Sequence, residues 1–95
     1  MSHNPKKWDF TKPEDFRNQV LNLPQSLRPK LTQIMTQLSE SDNPIASHKK
    51  KITLRGEFYT ERLNDEYRLA YNVDFKNRRI IIIRVGDHKH VYGKK

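Results

Sequence analysis

The chain has 95 residues, enough for one domain with one modest core. Lys and Arg number 19 against 11 Asp and Glu, a formal net charge of +8, and only 34% of residues are apolar. This excludes a large enzyme with a deep cofactor cleft. The absence of Cys excludes disulfides, Cys-ligated zinc and a Cys nucleophile, and no run approaches the ~20 apolar residues that span a bilayer.

Lys7 to Phe10 predicts a short N-terminal strand. Thr11, Pro13 and Glu14 have the order of a helix start: a hydroxyl cap, an early proline and an acid three residues on. Phe16, Val20 and Leu23 then recur at i, i+4 and i+7, one apolar helical stripe that Pro24 ends. A second helix is expected from Ser26, with Leu27, Leu31, Ile34, Met35 and Leu38 on its apolar side and Pro29 tolerated in the first turn. Ser39 to Pro44 is a run of turn formers. Two short helices with one apolar face each form a hairpin that must cover something.

The period changes in the second half. Ile52 to Leu54 leads to a turn at Arg55 and Gly56. Phe58 to Leu63 alternates as a strand, with Phe58, Thr60 and Arg62 on one side. Asn64 to Glu66 makes a hairpin turn. Tyr67, Leu69, Tyr71 and Val73 then alternate with Arg68, Ala70 and Asn72. Asp74 to Asn77 is a second hairpin loop. Arg79 to Val85 holds four consecutive isoleucines, which predicts a central strand buried on both faces. Gly86 ends or bends it, and the tail from His88 to Tyr92 follows. The fold class is therefore α+β. The N-terminal strand and helical hairpin pack on one face of an antiparallel sheet. The other face is left open for Arg62 and Arg68, with Arg84 a further candidate.

The charge is uneven. Residues 1–45 carry six basic and five acidic side chains, a net of +1; residues 46–95 carry thirteen and six, a net of +7. A polyanion partner on the second half is implied: nucleic acid or an acidic protein, with no amphipathic helix there to favour a membrane. The opening residues lack an apolar secretory stretch, so a cytoplasmic protein is expected.

No phosphate-cradling loop is expected from three glycines in all, and no carboxylate cluster completes a metal site with His88 and His90. What remains is Arg, Lys, His and Tyr near strand ends. That set suits metal-free RNA cleavage, in which the 2′-hydroxyl attacks the adjacent phosphate. One group takes its proton, another protonates the leaving 5′-oxygen, and fixed cations stabilise the phosphorane. His titrates near neutrality, Arg grips phosphate with a planar fork, and Tyr stacks on a base. The same residues also serve plain RNA or DNA binding.

Glu66 to Tyr71 and Arg84 to Tyr92 resemble the RelE/ParE superfamily of toxin–antitoxin toxins. That family has a Tyr-Arg-aliphatic-x-Tyr strand, an aliphatic strand, then Val-Gly, a basic or His cluster and Val-Tyr. The helical hairpin through Leu23, Pro24 and Leu31 to Leu38 is similar too, so the resemblance spans residues 8–92. Phe58 to Tyr71 is similar to the hairpin of YoeB-type toxins without a gap, and Gly86 to Gly93 to the YafQ-type ending. Both branches are ribosome-dependent mRNA endonucleases. The resemblance implies a single RelE-like domain over 1–95, no cofactor, and as partners a cognate antitoxin, mRNA and ribosomal RNA. Any oligomer would form only through the antitoxin.

Carried over by position, Arg68 matches the strand Arg that holds the scissile phosphate. His88 matches the tail His of acid–base work, with His90 as its competitor, and Tyr92 the terminal aromatic on the substrate nucleotide. His48 falls near the general-base Glu of YoeB-type toxins. Arg62 and Glu66 lie where YafQ-type toxins carry a His and an Asp; a hairpin ion pair is the alternative. Lys49, Lys50, Lys51, Arg84 and Lys89 are expected to meet RNA backbone. Thr60 and Glu61 stand where many RelE members carry further cations, which shifts weight to the histidines. A gyrase poison of the ParE type and a non-catalytic RNA- or antitoxin-binding module remain the other readings.

Overall fold

The computed structural model describes residues 7–45, 51–53 and 56–87, with the main chain only at 51–53 and 56. The elements are β1 (Asp9–Thr11), α1 (Phe16–Leu21), a 3₁₀ turn (Gln25–Leu27), α2 (Arg28–Glu40), β2 (Lys51–Thr53), β3 (Gly56–Arg62), β4 (Tyr67–Asp74) and β5 (Arg79–Asp87). No described helix is long and apolar enough to cross a membrane.

The sheet order is β1-β5-β4-β3-β2. From β2 to β5 the sheet is an antiparallel meander, as each short turn requires, while β1 runs parallel to β5. The chain enters at one edge, crosses through the helices and returns at the other edge.

The helix stripes and alternate strand positions form one core. Leu31, Ile34 and Leu38 of α2 cluster with Leu69, Tyr71, Ile80, Ile82 and Val85, and Trp8, Leu23 and Leu63 complete the buried set. Phe16 and Val20 pack at its margin. The first helix starts later than Thr11 and Pro13 predict. Thr11 extends β1, Phe16 N–H donates to the Pro13 carbonyl, and α1 holds six residues. Asp15 precedes it, but its carboxylate receives the Gln19 side-chain amide at 2.8 Å instead of capping a backbone N–H. Arg28 joins the helices by donating to the Leu21 carbonyl, a favourable place for a cation at a helix C-terminus.

Trp8 ties three segments together. Its indole N–H donates to the Ser41 carbonyl at 2.7 Å, and Phe75 meets it edge-on with ring centroids 5.5 Å apart. The Arg78 guanidinium lies 4.4 Å from its ring. Arg78 also carries a φ of 56°, and left-handed backbone at a non-glycine residue costs about 1–2 kcal/mol. The cation–π contact and a hydrogen bond from Arg78 Nε to the Lys7 carbonyl offset that cost.

Tyr71 is wholly buried, and its hydroxyl donates to the Pro44 carbonyl at 2.9 Å. Burial pushes the phenol well above its ordinary value of 10.0, with Glu61 and Tyr59 adding to the rise. The raised value makes the sign definite. Its contribution to stability is intact below pH 10 and declines above it, where the unfolded phenol ionises and the folded one does not. Tyr71→Phe should therefore lose about 1 kcal/mol at neutral pH, read by urea unfolding. The gap to wild type should narrow between pH 10 and 11.5; an equal gap at both ends would refute the assignment.

Candidate functional site on the open sheet face

The strand registers place the arginines. Arg62 of β3 stands directly opposite Arg68 of β4, and Arg68 stands opposite Gly86 of β5. In the next row Thr60, Ala70 and Arg84 are opposed. Directly opposed residues share a face, so these three cations gather on the side away from the core helices. Like charges directly across a ladder repel. Arg62 is relieved by an ion pair to Asp65 in the hairpin turn, and both partners are largely exposed. The predicted hairpin pair thus forms with Asp65, not Glu66.

Arg68 is held differently. One of its terminal nitrogens, Nη1, donates to the carbonyls of Asn64 and Tyr67, the latter at 3.1 Å. The Asn64 side chain in turn accepts from the N–H groups of Glu66 and Tyr67, both at 2.8 Å. The turn therefore fixes the guanidinium with neutral acceptors. Among the described residues no carboxylate pairs with it, and its Nε and Nη2 make no hydrogen bond. Gly86 opposite it adds no side chain to cover that edge. Glu66 sits exposed in the turn, one residue before β4.

Arg84 reaches this face through a β-bulge. Ala70 pairs with Arg84 while Tyr71 pairs with Ile82, so Ile83 and Arg84 together oppose Ala70. Ile83 packs on Phe58 and Ala70, a small apolar floor beneath the arginines. The expectation of a strand buried on both faces is therefore corrected. Ile80 and Ile82 are buried, but Ile81 is 37% exposed and Ile83 only partly covered. Among the described residues no helix packs over this face as α1 and α2 pack over the other.

Lys51 is at the register position opposite Phe58. His48, Lys49, Lys50, His88, Lys89, His90 and Tyr92 lie outside the described residues.

Sequence reasoning missed Gln19. This buried side chain of α1 accepts from the Val85 N–H at 2.9 Å while its amide donates to Asp15. β1 pairs with residues 79–81, and among the described residues no strand pairs with that edge of β5 beyond them. Gln19 satisfies one N–H of that edge. The signal was its place at i+3 in the Phe16, Val20, Leu23 stripe, a polar residue on a buried helical face.

Beside this contact lies a recess of about 240 Å³, bounded by Gln19, Asn22 and Leu23 on the helix side and by Tyr67, Arg84 and Gly86 on the sheet side. Gly86, in its lining, stands opposite Arg68 in the β4–β5 ladder.

No family model and no curated protein matches the sequence. Solved structures do match. The toxin–antitoxin complex RelBE2 of Mycobacterium tuberculosis superposes with a TM-score of 0.65 at 22% identity, over 92% of this chain and 95% of that one. A mutant of the E. coli toxin RelE in the free state gives 0.68 at 24% identity, over 93% of each chain. The RelE–RelB complex of Pyrococcus horikoshii gives 0.67 at 19% identity, over 85% and 94%. With nearly whole chains superposed at such low identity, the likeness is one of architecture: the chain has the RelE toxin fold.

Proposed function

We propose that the chain is the toxin of a type II toxin–antitoxin pair and an endoribonuclease that cleaves mRNA in the ribosomal A site. The observation that carries this reading is the guanidinium of Arg68, anchored by two backbone carbonyls on the sheet face opposite the described helices, beside Arg62 and Arg84. An anchored fork opposite a glycine is preorganised for a phosphate, and preorganised donors act on charge that develops in the transition state.

The chemistry balances without a metal. The 2′-oxygen forms a bond to phosphorus and loses its proton to a base; the bond from phosphorus to the 5′-oxygen breaks, and that oxygen gains a proton from an acid. A 2′,3′-cyclic phosphate and a 5′-hydroxyl end result. Arg68 holds the phosphate and neutralises the phosphorane. His88 is the proposed acid, with His48, His90 and Glu66 as further proton-transfer groups and Tyr92 on the nucleotide. Arg62, Arg84, Lys49, Lys50, Lys51 and Lys89 neutralise RNA backbone. Two of the solved structures with this fold are complexes with an antitoxin. The same arginine face is complementary to an acidic antitoxin segment.

Primer extension on translated mRNA tests the reading: induction should create new 5′ ends within open reading frames. Arg68→Ala should reduce their yield by about 10²–10³-fold with the fold retained by circular dichroism. Arg68→Lys should recover little of it, since the charge is kept but the fork is lost. Inhibition of gyrase supercoiling with mRNA left intact would instead establish a ParE-type poison.

A second measurement addresses His88. His88→Ala should abolish growth arrest while leaving RNA affinity unchanged, because the residue is proposed for proton transfer rather than charge neutralisation. Arg62→Ala should do the reverse. It should weaken single-stranded RNA binding and flatten the salt dependence by about 0.7 in log–log slope, the share of one phosphate contact. A slope unchanged in Arg62→Ala would remove that residue from the interface.

A further inference from the structure

The recess between α1 and the end of β5 is built from groups that the phosphate chemistry above does not use. Its volume, about 240 Å³, is below the ~300–1,000 Å³ of sites for drug-sized ligands, and it has room for one planar heterocycle. Arg84 lines it, and the Nε of that guanidinium is buried with no acceptor among the described residues. A buried donor without a partner is uncommon in a native fold and calls for an acceptor. Asn22 presents a side-chain amide, with a donor and an acceptor, that no described residue engages. Tyr67 supplies an aromatic surface and Leu23 an apolar one. Gln19 is committed on both ends of its amide, so that wall is rigid.

The charge of the recess separates two ligands. The carboxylate of Asp87 shares the lining with Arg84, so the formal charges of the recess sum to zero. A near-neutral site that mixes donors, acceptors and an aromatic wall disfavours a phosphate and favours a base. Single-stranded RNA is read in that way, by aromatic stacking plus hydrogen bonds to base edges. The position agrees, since Gly86 lines the recess and stands opposite Arg68 on the neighbouring strand.

We propose that this recess receives one nucleobase of the RNA strand, next to the phosphate held by Arg68. A ring or carbonyl acceptor of the base meets the Arg84 guanidinium, and the Asn22 amide meets its edge. The proposal rests on the reading of the open sheet face as an RNA site, and it makes α1 a determinant of which nucleotide is cut.

Titration of the purified chain with AMP, CMP, GMP and UMP, followed by nitrogen-15 NMR, tests it apart from cleavage. At least one nucleotide should give saturable shifts at the Asn22 side-chain amide and the Gly86 N–H. Affinity read at the Gly86 N–H should weaken at least tenfold in Asn22→Ala and remain in Leu21→Ala, a change on the exposed side of α1. Ribose 5-phosphate should not reproduce them. Equal shifts with ribose 5-phosphate, or no saturable shift with any nucleotide, overturns the proposal. Cleavage with no nucleotide binding would leave the nuclease reading standing and remove the recess. Binding with no cleavage would keep the recess and remove the nuclease.

Discussion

The pairing of β4 with β5, and the single bulge within it, is the constraint on which the open face depends. A strand covered by helices on one side must alternate. Ile80 and Ile82 point to the core, and strict alternation would send residue 84 there too. That residue is Arg84, and a buried unpaired guanidinium costs several kcal/mol. The bulge resolves the conflict. With Ile83 and Arg84 both opposite Ala70, Val85 takes the core position and Arg84 stays half-buried in the row next to Arg68. One extra residue thus keeps the hydrophobic face continuous and assembles the cationic one.

Two contacts hold the frame around that strand. At one end Trp8 is wedged against Phe75 and Arg78, so β1, the end of α2 and the loop from β4 to β5 share one anchor. At the other, Gln19 occupies an edge N–H of β5 that β1 is too short to reach. A strand edge left bare invites pairing with another chain, and a side-chain amide from a packed helix blunts it at Val85. The same contact sets the distance between α1 and β5, and so makes the recess where Asn22 faces Arg84.

Arg68 shows how the turn and the site are one object. Asn64 folds the turn by accepting two backbone N–H groups, and the turn then offers its own carbonyls to the guanidinium. An arginine held only by carboxylates would be neutralised; one held by carbonyls keeps its charge for a ligand. Arg62, by contrast, is partnered by Asp65 on an exposed hairpin, where such pairs contribute about 0–1 kcal/mol and yield readily. The two neighbours therefore differ in role although they face each other across one ladder.

Much of this was legible from residue order. The 3.6-residue stripes of Leu31, Ile34 and Leu38, the alternation of Tyr67 to Val73 and the turn residues at 64–66 and 74–77 are local signals, and the structure has elements at each. The net charge of residues 46–95 marked the half that carries the open face. Three things were beyond local pattern. The run Ile80 to Ile83 looks buried on both sides because composition does not count layers; only tertiary packing shows helices on one side alone. The start of α1 followed β1, which captured Thr11 before it could cap a helix. The bulge, and with it the site of Arg84 and the recess against Gln19 and Asn22, depends on how β5 registers on β4. Residue types and their periods determined which segments fold and which half is cationic. Register and layering, which arise only when distant segments pack, decided which of those cations stand together.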